Sequence, residues 1–332
     1  MVNQKIIKQV LESLSVGDAM GMPTEFMTQK DILSQFSLVN EIIQPEHSRN
    51  HSNLTYASIT DDTEQNIYLI MRYLKDGFIS VENTAETLLN WVVECDAVNK
   101  RYIGPSSLKA LRMIESGSDP YLSGTTGTTC GGIMRTPSLV LCSNIIDDQE
   151  LFDNIVKGCI PTHNTSVALE VAVAYGFALR EALLGKNIDS ILQSAITFSR
   201  KANELAEYKI CSASASRRIQ ELIKRIPSIH DDYQLLEELY YLYGTGLESI
   251  DTLTAVFGIF MYAKGDVFKS ICMAASIGGD TDTIAALVGA LQCAYAKGHN
   301  IPANIVMAVV ENNRLNLDGL ARSIVEKFLW KI

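Results

Sequence analysis

Residues 283–296, TIAALVGALQCAYA, are apolar or small on almost every side. Residues 165–184, TSVALEVAVAYGFALREALL, have the same character and are also rich in alanine. A helix that is apolar all round belongs in a protein interior rather than at its surface. These two stretches therefore predict central, fully buried helices, and with them a core made of helices.

The rest of the chain continues this helical pattern on either side of the two stretches. Apolar residues recur at helical spacing over 6–14 and again over 67–74, where Gly77 is a plausible stop. Further helices are predicted at 84–95, 106–116, 188–208, 212–225, 233–243, 251–263, 266–276 and 303–330. Only LTYASI, 54–59, alternates like a strand, and 36–60 and 117–137 are predicted to be irregular. We expect an all-α bundle that forms one domain over 1–332.

Composition limits the classes of function. The chain has 332 residues, a net charge of −10 and no run of basic residues, which disfavours binding to nucleic acid or to an anionic membrane. The seven cysteines contain no C-x-x-C pair, and the first residues, MVNQKIIKQVLESLSVGD, lack a secretory pattern. We expect a soluble, cytoplasmic monomer with reduced thiols and a small or neutral-to-cationic partner.

Two short acidic clusters stand out, each at the predicted start of a helix. Thr60, Asp61 and Asp62 lie in SITDDTEQ, 58–65, and on their own would be explained as a helix cap facing the positive end of the helix dipole. SIGGDTDTIAAL, 276–287, repeats the same chemistry before a buried helix. Burying carboxylates together is costly unless cations neutralise them. Because neither cluster contains His or Cys, the sequence favours Mg²⁺ or Mn²⁺, held as a pair, over zinc.

Four motifs in this chain resemble those of the ADP-ribosylglycohydrolase family. They are GDAMGMPTEF (17–26), SITDDTEQ (58–65), THN (162–164) and SIGGDTDTIAAL (276–287), in the order and spacing typical of the family. The resemblance implies a compact orthogonal multi-helix bundle with a binuclear magnesium centre that cleaves the N- or O-glycosidic bond between ADP-ribose and a modified side chain. It also implies six metal ligands: Thr60, Asp61, Asp62, Asp280, Asp282 and Thr283.

The resemblance also gives roles to two acids near the N-terminus. Glu25 matches a family glutamate that lies over the metals and gates substrate or transfers a proton; without the resemblance it would be a solvated loop carboxylate. Asp18 stands between Gly17 and Gly21. It either supports the metal ligands from behind or marks a close approach of two helices.

The segment SGTTGTTCGGIMR, 123–135, is either a flexible linker or a loop whose N–H groups cradle a pyrophosphate. Where the family has Asn-Gly, this chain has Cys130 and Gly131, and Cys130 is interpreted as a pocket-lining residue rather than a nucleophile. His163 is either a polar packing residue or a contact to ribose or phosphate. The predicted substrate contacts are Gly127, Cys130, Gly131, Gly132, Met134, Arg135 and His163.

The chemistry implied is cation-assisted hydrolysis of a ribosyl bond, with Asp62 or Glu25 transferring the proton. We expect an ADP-ribosylated protein or a small ADP-ribose conjugate as substrate. Arginine is the favoured linkage, while serine-linked and nucleic-acid-linked ADP-ribose stay open. The alternatives are a ribosyl-nucleoside hydrolase with the same centre, a binder of ADP-ribose without catalysis, and a structural role for the same fold.

Overall fold

The computed structural model describes residues 2–329, and over this range it is built from helices. Its α-helices are α1 (Gln4–Gly21), α2 (Gln29–Phe36), α3 (Asp61–Asp76), α4 (Val81–Glu94), α5 (Ala97–Lys100), α6 (Pro105–Glu115), α7 (Pro120–Ser123), α8 (Gly131–Met134), α9 (Thr136–Leu141), α10 (Asp148–His163), α11 (Ser166–Leu183), α12 (Ile188–Leu205), α13 (Ala215–Arg225), α14 (Asp232–Glu238), α15 (Ser249–Ala263), α16 (Val267–Ser276), α17 (Thr281–Ala296), α18 (Ala303–Asn312) and α19 (Leu317–Ile324). Short 3₁₀ turns lie at Met22–Thr24, Pro45–His47 and Ile226–Ser228, and π turns at Leu239–Tyr243 and Val325–Leu329. Within the described residues there is no β-strand, and Thr129 and Glu248 form an isolated β-bridge.

Helices α11 and α17 lie at the centre of the core, as their apolar sequences predict. Every residue of α17 from Thr281 to Ala294 is buried, and Glu181 is the one residue of α11 that is not. The Tyr175 hydroxyl of α11 donates a hydrogen bond of 2.9 Å to the Leu287 carbonyl of α17, which satisfies the polar tip of a buried side chain. The all-helical prediction is confirmed.

Helix α1 packs along α17 with their backbones in contact. A Cβ atom on Gly17 would lie 2.2 Å from the carbonyl oxygen of Ala285, and one on Gly21 would lie 2.4 Å from that of Thr281. Only residues without a side chain permit this approach. The approach brings the C-terminal end of α1, which carries Asp18, beside the first turn of α17.

The strand expected at 54–59 does not form. This segment makes two turns, in which Leu54 N donates to His51 O and Ser58 N donates to Thr55 O. The Asn313 side chain then accepts from Ile59 N and donates to Ala57 O, so a side chain takes the bonds that a neighbouring strand would have made.

The same asparagine lies where the predicted helix 303–330 is broken. Helix α18 ends at Asn312, Arg314 has a φ of +51°, and Asn316 caps α19 by accepting from Gly319 N. The long helix is therefore two helices, because residues 313–316 leave the helical path to hold the 57–59 loop. The predicted stop of α3 at Gly77 is confirmed, with a φ of +85°.

Among the helices of eight or more residues, α2 and the 16-residue α10 were not expected from the sequence. Helix α10 contains Gly158 and Pro161, which weaken a helical pattern when the sequence is considered alone. A Cβ on Gly158 would meet the Leu139 side chain at 2.3 Å, so tight packing against α9 explains the glycine. No helix in the described part of the chain carries an apolar stretch of the length needed to cross a bilayer.

Candidate metal centre and active site

The first acidic cluster is fixed by Asp18, which caps α3 from another helix. Both carboxylate oxygens of Asp18 accept from Thr60 N at 3.0 Å, and Oδ2 also accepts from Thr63 N at 3.0 Å. The Thr60 hydroxyl donates to Asp18 Oδ1 at 2.8 Å. Because its proton is used in this bond, the oxygen of Thr60 keeps a lone pair for a cation. Asp18 thus holds Thr60 and the first turn of α3 through hydrogen bonds, and its glycine neighbours provide the close helix approach.

The second cluster is fixed by the two glycines that precede α17. Gly278 and Gly279 both have a φ of +84°, and a Cβ on Gly279 would lie 2.0 Å from the Thr245 carbonyl oxygen. Asp280 N donates to that same oxygen at 2.7 Å. The double glycine is therefore required to turn the chain sharply into α17 and to place Asp280 and Asp282 at its first turn.

The two clusters, more than 200 residues apart in sequence, meet in space. The Thr283 hydroxyl donates to Asp62 Oδ2 at 3.2 Å. One carboxylate oxygen from each of Asp18, Asp62 and Asp282 lies within 4.8 Å of the other two. Asp61 lies beside them, with its Oδ2 accepting from the Gln65 amide at 3.3 Å. The structure thus brings all six predicted metal ligands to one place.

The electrostatics of this place favour a bound cation. None of the five aspartates forms an ion pair with Lys or Arg in the described part of the chain. Burial raises the pKa of Asp18 to about 6 and that of Asp280 to about 7. Burial, and then repulsion from neighbouring carboxylates, raise the pKa of Asp61, Asp62 and Asp282 well above the ordinary value.

One carboxylate oxygen of the cluster is left without a partner. Asp62 Oδ1 is buried and has no hydrogen-bond donor among the described residues. An unpaired buried carboxylate oxygen is costly unless something outside the protein chain binds it. The residues present therefore fit hard divalent cations, whose preferred ligands are carboxylate and hydroxyl oxygens.

Glu25 lies over this cluster and is not a solvated loop residue. Its side chain is 11% exposed, and Oε2 forms a short hydrogen bond with Nε2 of His51, whose side chain is fully buried. The Asn50 amide donates to the same oxygen at 3.5 Å. The next residue, Phe26, has a φ of +56° and donates its N–H to Gly279 O at 2.8 Å. Glu25 is thus held by the side chains of Asn50 and His51, and its neighbour Phe26 is tied to the loop that precedes α17.

A cleft of about 90 Å³ opens onto the cluster. Its acidic walls are Glu25, Asp61, Asp280 and Asp282. The other residues that line it come from the segment 101–107, which leads into α6 and includes Tyr102 and Ser107, and from part of the glycine-rich segment, together with Phe26, Leu247 and Thr283. Acidic groups at the base and carbon-rich walls above them suit a ligand with hydroxyls at one end.

The glycine-rich segment is more ordered than the sequence suggested. It forms α7 and α8, and α9 follows directly at Thr136, instead of one irregular stretch over 117–137. Cys130 N donates to Leu247 O at 2.8 Å, which ties the segment to the loop before α15. Of the seven predicted substrate contacts, Cys130, Gly131 and Met134 line the cleft, whereas Gly127, Gly132, Arg135 and His163 do not.

Arg135 and His163 lie behind the cleft wall in one buried network. Nη1 and Nη2 of Arg135 donate to Thr162 Oγ1 at 2.7 and 2.9 Å, so the Thr162 hydroxyl must direct its own proton to His163 Nδ1, 2.7 Å away. His163 Nε2 therefore carries the ring proton and donates to Thr129 Oγ1 at 3.1 Å. Burial and the charge of Arg135 hold the pKa of His163 well below its usual range, which agrees with this neutral tautomer. A Cβ on Gly131 would meet the imidazole at 2.7 Å, so the network supports the backbone of α8.

The sequence did not predict that two further residues, with nitrogen and sulfur atoms, lie beside the acidic centre. His51 lies in the irregular segment 36–60, and no periodic or spacing signal connects it with Glu25. Cys130 Sγ lies 4.0 Å from Thr283 Oγ1, beside the second cluster. The sequence motifs themselves contain neither His nor Cys, and in the folded protein His51 and Cys130 lie beside them. Neither contact could be predicted, because the two partners of each are not neighbours in the sequence.

Comparison with known proteins places the chain among relatives of one kind. It is 27% identical over 288 residues to YegU of Escherichia coli (strain K12), a protein of uncharacterized function, with 86% of each chain covered. It is 24% identical over 321 residues to the ADP-ribosyl-[dinitrogen reductase] glycohydrolase of Rhodospirillum rubrum, with 92% of each covered. A solved structure described as an ADP-ribosylglycohydrolase-related protein complex superimposes with a TM-score of 0.68 at 23% identity, over 98% of both chains.

The sequence profile of the ADP-ribosylglycohydrolase family matches residues 4–331. This match covers almost the whole chain, and the structural likeness agrees with it in fold. Membership supports a glycohydrolase that acts on ADP-ribosylated substrates, and the acidic cluster is of the kind that could hold metal. The chain belongs to the ADP-ribosylglycohydrolase family.

Proposed function

We propose that this protein is a divalent-cation-dependent hydrolase that cleaves the glycosidic bond between ADP-ribose and a modified side chain, releasing ADP-ribose. The observation that carries the proposal is the cluster of five buried, unneutralised aspartates, of which Asp61, Asp280 and Asp282 line one cleft, with Asp62 Oδ1 unpartnered. An ADP-ribosylated protein is the favoured substrate, because a relative that matches 92% of this chain is named for ADP-ribosyl-[dinitrogen reductase]. Arginine is the proposed linkage, as the family resemblance of the sequence motifs implies.

The proposed cation ligands are Thr60, Asp61, Asp62, Asp280, Asp282 and Thr283, and the proposed cations are two Mg²⁺, with Mn²⁺ as a substitute. When bound, the cations would orient the ribose hydroxyls and make a nearby water more acidic. The supporting geometry is that of the Thr60 hydroxyl. Its proton is donated to Asp18, which leaves its oxygen able to act as a ligand.

Asp62 is the proposed proton acceptor. The Thr283 hydroxyl holds Oδ2 of Asp62, while Oδ1 has no donor in the described residues. One lone pair of Oδ1 can therefore face a cation while the other accepts a proton from a water. Glu25, at the mouth of the cleft, is proposed to transfer a proton there while His51 holds its carboxylate. The buried carboxylates also provide a negative field that would stabilise the positive charge developing at the anomeric carbon as the bond breaks.

The substrate is proposed to contact Cys130, Gly131 and Met134 directly. Arg135 and His163, together with Gly127 and Gly132, are proposed to hold that wall in place from behind. The support for this division is the buried network of Arg135, Thr162 and His163, whose side chains use their polar atoms on one another and on Thr129. A rigid wall fixes the substrate at lower entropic cost than a mobile one.

A second candidate follows from the size of the cleft. About 90 Å³ is well below the roughly 300 Å³ usual for small-molecule sites, so a whole ADP-ribose would require the Glu25–Phe26 segment to move. A smaller ribosyl nucleoside needs less displacement. The cation centre and the residues assigned to it would be the same.

The experiment that tests these proposals is mass-spectrometric analysis of products from ADP-ribosyl-arginine protein, ADP-ribosyl-serine peptide and a nucleoside panel. Each is incubated with Mg²⁺, with Mn²⁺ and with EDTA. Free ADP-ribose that forms from the arginine conjugate only when a cation is present is the expected result. Cleavage of nucleosides alone would select the second candidate, and cleavage that persists in EDTA would overturn the role of the cation. The exposed variant Asp189→Asn serves as the matched control for site variants.

A further inference from the structure

A second cavity, of about 620 Å³, lies between α3 and the segment 313–323, which includes most of α19. No residue of the described chain lines both this α3–α19 cavity and the cleft at the acidic centre. Its volume is within the roughly 300–1,000 Å³ of small-molecule sites, whereas the cleft has about 90 Å³. The two cavities are therefore separate, and this one has room for a small molecule.

The walls of the α3–α19 cavity are largely carbon. Four residues of α3 line it at the i, i+3, i+4 and i+7 spacing of one helix face: Glu64, Ile67, Tyr68 and Met71. Leu315 and Leu320 line it from the segment 313–323. Met71 is 58% exposed, and methionine is an adaptable side chain that is common on surfaces that bind apolar ligands. The cavity thus offers an apolar ligand several carbon surfaces at once.

Arg314 gives this cavity a positive charge without a partner. None of the ion pairs among the described residues includes Arg314. Glu64 is the other charged residue that lines the cavity, and its carboxylate is already engaged. Its Oε2 accepts from Trp91 Nε1 at 2.9 Å and from the Tyr102 hydroxyl at 2.8 Å, and Lys100 Nζ lies 3.8 Å from its Oε1. The charge that stays available to a ligand is therefore that of Arg314.

Two further hydrogen-bond donors line the same cavity. Asn316 uses its Oδ1 to cap α19 by accepting from Gly319 N at 3.1 Å, which leaves its NH₂ group for a ligand. Ser323 adds a hydroxyl. A guanidinium, an amide NH₂ and a hydroxyl are donors that suit a carboxylate, and the bonds from the guanidinium are the strongest because both partners are charged.

We propose that the α3–α19 cavity is a second binding site, for a small molecule with an apolar body and a single carboxylate. The body would pack on Ile67, Met71 and Leu320, and the carboxylate would accept hydrogen bonds from Arg314. The acidic walls of the catalytic cleft would repel the same ligand, so the two sites take molecules of opposite character. The inference goes beyond the proposed hydrolysis and does not depend on it.

The test is calorimetric titration of the full chain with octanoate, which has an apolar body and one carboxylate. The buffer contains EDTA, so that no bound cation can attract the carboxylate to the acidic centre. Octanol, which has the same body without the charge, is the ligand control. We expect octanoate to bind at least about tenfold more tightly than octanol, because a hydrogen bond to a charged group is among the stronger ones.

Arg314→Gly removes the charge and keeps the turn, since the φ of +51° at this position is one that glycine adopts without strain. Octanoate affinity should fall by roughly tenfold, and Arg314→Lys should retain most of it. Lys264→Gly is the matched control. Lys264 is also exposed and has a φ of +49°, but it lines a different cavity, of about 300 Å³. Its loss should leave the affinity unchanged.

A second pair of variants tests the carbon wall. Met71→Glu places a carboxylate on the wall and should repel octanoate. Val93→Glu is its control, because Val93 is 77% exposed on α4 and does not line the cavity. Both side chains are exposed, so the helical circular dichroism spectrum should be unchanged in each variant.

Four results would overturn the proposal. They are no binding of octanoate, equal affinity for octanol, equal affinity in Arg314→Gly and wild type, and loss of binding in Lys264→Gly. Sedimentation velocity checks a different occupant. Wild type that dimerises, and becomes monomeric in Met71→Glu but not in Val93→Glu, would assign the cavity to a second copy of the chain and would also overturn the proposal. Each of these results would leave the proposed hydrolysis unaffected.

Discussion

Each aspartate of the centre has a distinct set of contacts, so single substitutions should separate their roles. Asp62 has one oxygen held by Thr283 and the other without a donor, and Asp282 accepts from Thr283 N at 3.0 Å. Neither carboxylate supports the backbone of another helix. Their removal should therefore damage chemistry far more than folding.

We predict that Asp62→Ala and Asp282→Ala each lower turnover of the arginine conjugate by more than about 100-fold, beyond the usual loss for a residue that only supports a ligand. The helical circular dichroism spectrum should be unchanged, since removing a repelling buried charge does not weaken the core. Asp189→Asn, on the exposed face of α12, should match the wild type in both measurements. Activity retained in both alanine variants would rule out the cation ligands assigned here.

Asp18 differs, because its carboxylate positions α3 through four hydrogen bonds. In Asp18→Asn, the amide nitrogen would face donors on Thr60 and Thr63, and at least one bond would be lost. We predict that cation affinity, measured by calorimetry, falls by roughly 10- to 100-fold.

The matched control for this prediction is Glu12→Gln on the same helix. Glu12 is buried too, but it pairs with Lys8 and His299 at the end of α1 away from the cleft. Its loss should lower thermal stability and leave cation affinity unchanged. If both variants lose affinity equally, the effect comes from general loosening of α1, and the specific role of Asp18 is wrong.

At the scale of elements, the pairing of α1 with α17 determines the geometry of the centre. Alanine at Gly17 would gain up to about 1 kcal/mol in helix propensity. Its Cβ would lie 2.2 Å from a backbone oxygen of α17, which cannot rotate out of the way. Overpacking typically costs about 1–3 kcal/mol, and a clash this close with backbone belongs at the upper end of that range. After the gain in propensity we therefore predict a net loss of roughly 2 kcal/mol for Gly17→Ala, measured by urea unfolding.

Gly104→Ala is the control for the glycine prediction, because nothing lies within 4 Å of its added Cβ and its φ of −63° suits any residue. Its free energy of unfolding should fall by about 1 kcal/mol or less, because Gly104 is the N-cap of α6 and alanine is a weaker N-cap residue than glycine. Gly17→Ala should also weaken cation binding, since α1 carries Asp18 and α17 carries Asp282. Equal unfolding midpoints for the two variants would contradict the close approach.

How far the sequence could predict these elements depended on whether the signal was local. The apolar faces of α11 and α17, the stop of α3 at Gly77 and both acidic clusters are local patterns, and each was found. Helix α10 was missed because Gly158 lowers the helical signal of its sequence. The reason for this glycine is close packing against the Leu139 side chain of another helix. Residues 54–59 were misassigned because their hydrogen bonds go to Asn313, more than 250 residues away. Contacts of this kind leave no trace in a single sequence.

At the scale of the whole molecule, one helix pair links the two ends of the chain. Helix α1 packs against α16, α17, α18 and α19, so the first and last thirds of the chain share one core. This arrangement supports the one-domain organisation, which stays a prediction. It also means that the centre, built from α1, α3 and α17, cannot form before distant parts of the chain meet. Cation binding should therefore be linked to global stability.

This linkage gives a pH dependence whose sign follows from the pKa shifts. Burial raises the pKa of Asp18 to about 6 and that of Asp280 to about 7, from an ordinary value near 3.8. The folded state therefore favours the protonated carboxyls. The stability they contribute is present below about pH 4 and is lost as the pH rises through 6 to 7. Without cations, the ionised cluster then destabilises the fold by repulsion, and bound cations would remove that cost.

We predict that saturating Mn²⁺ raises the thermal unfolding midpoint more at pH 8 than at pH 5, relative to EDTA. At pH 5 the carboxyls are largely protonated, so a cation must displace protons to bind and gains less. Asp280→Asn removes one of the titrating groups and should reduce the difference between the two pH values, while Asp189→Asn should leave it unchanged. An equal gain at both pH values would mean that these carboxyls are ionised throughout, and that the raised pKa values do not govern the stability of the centre.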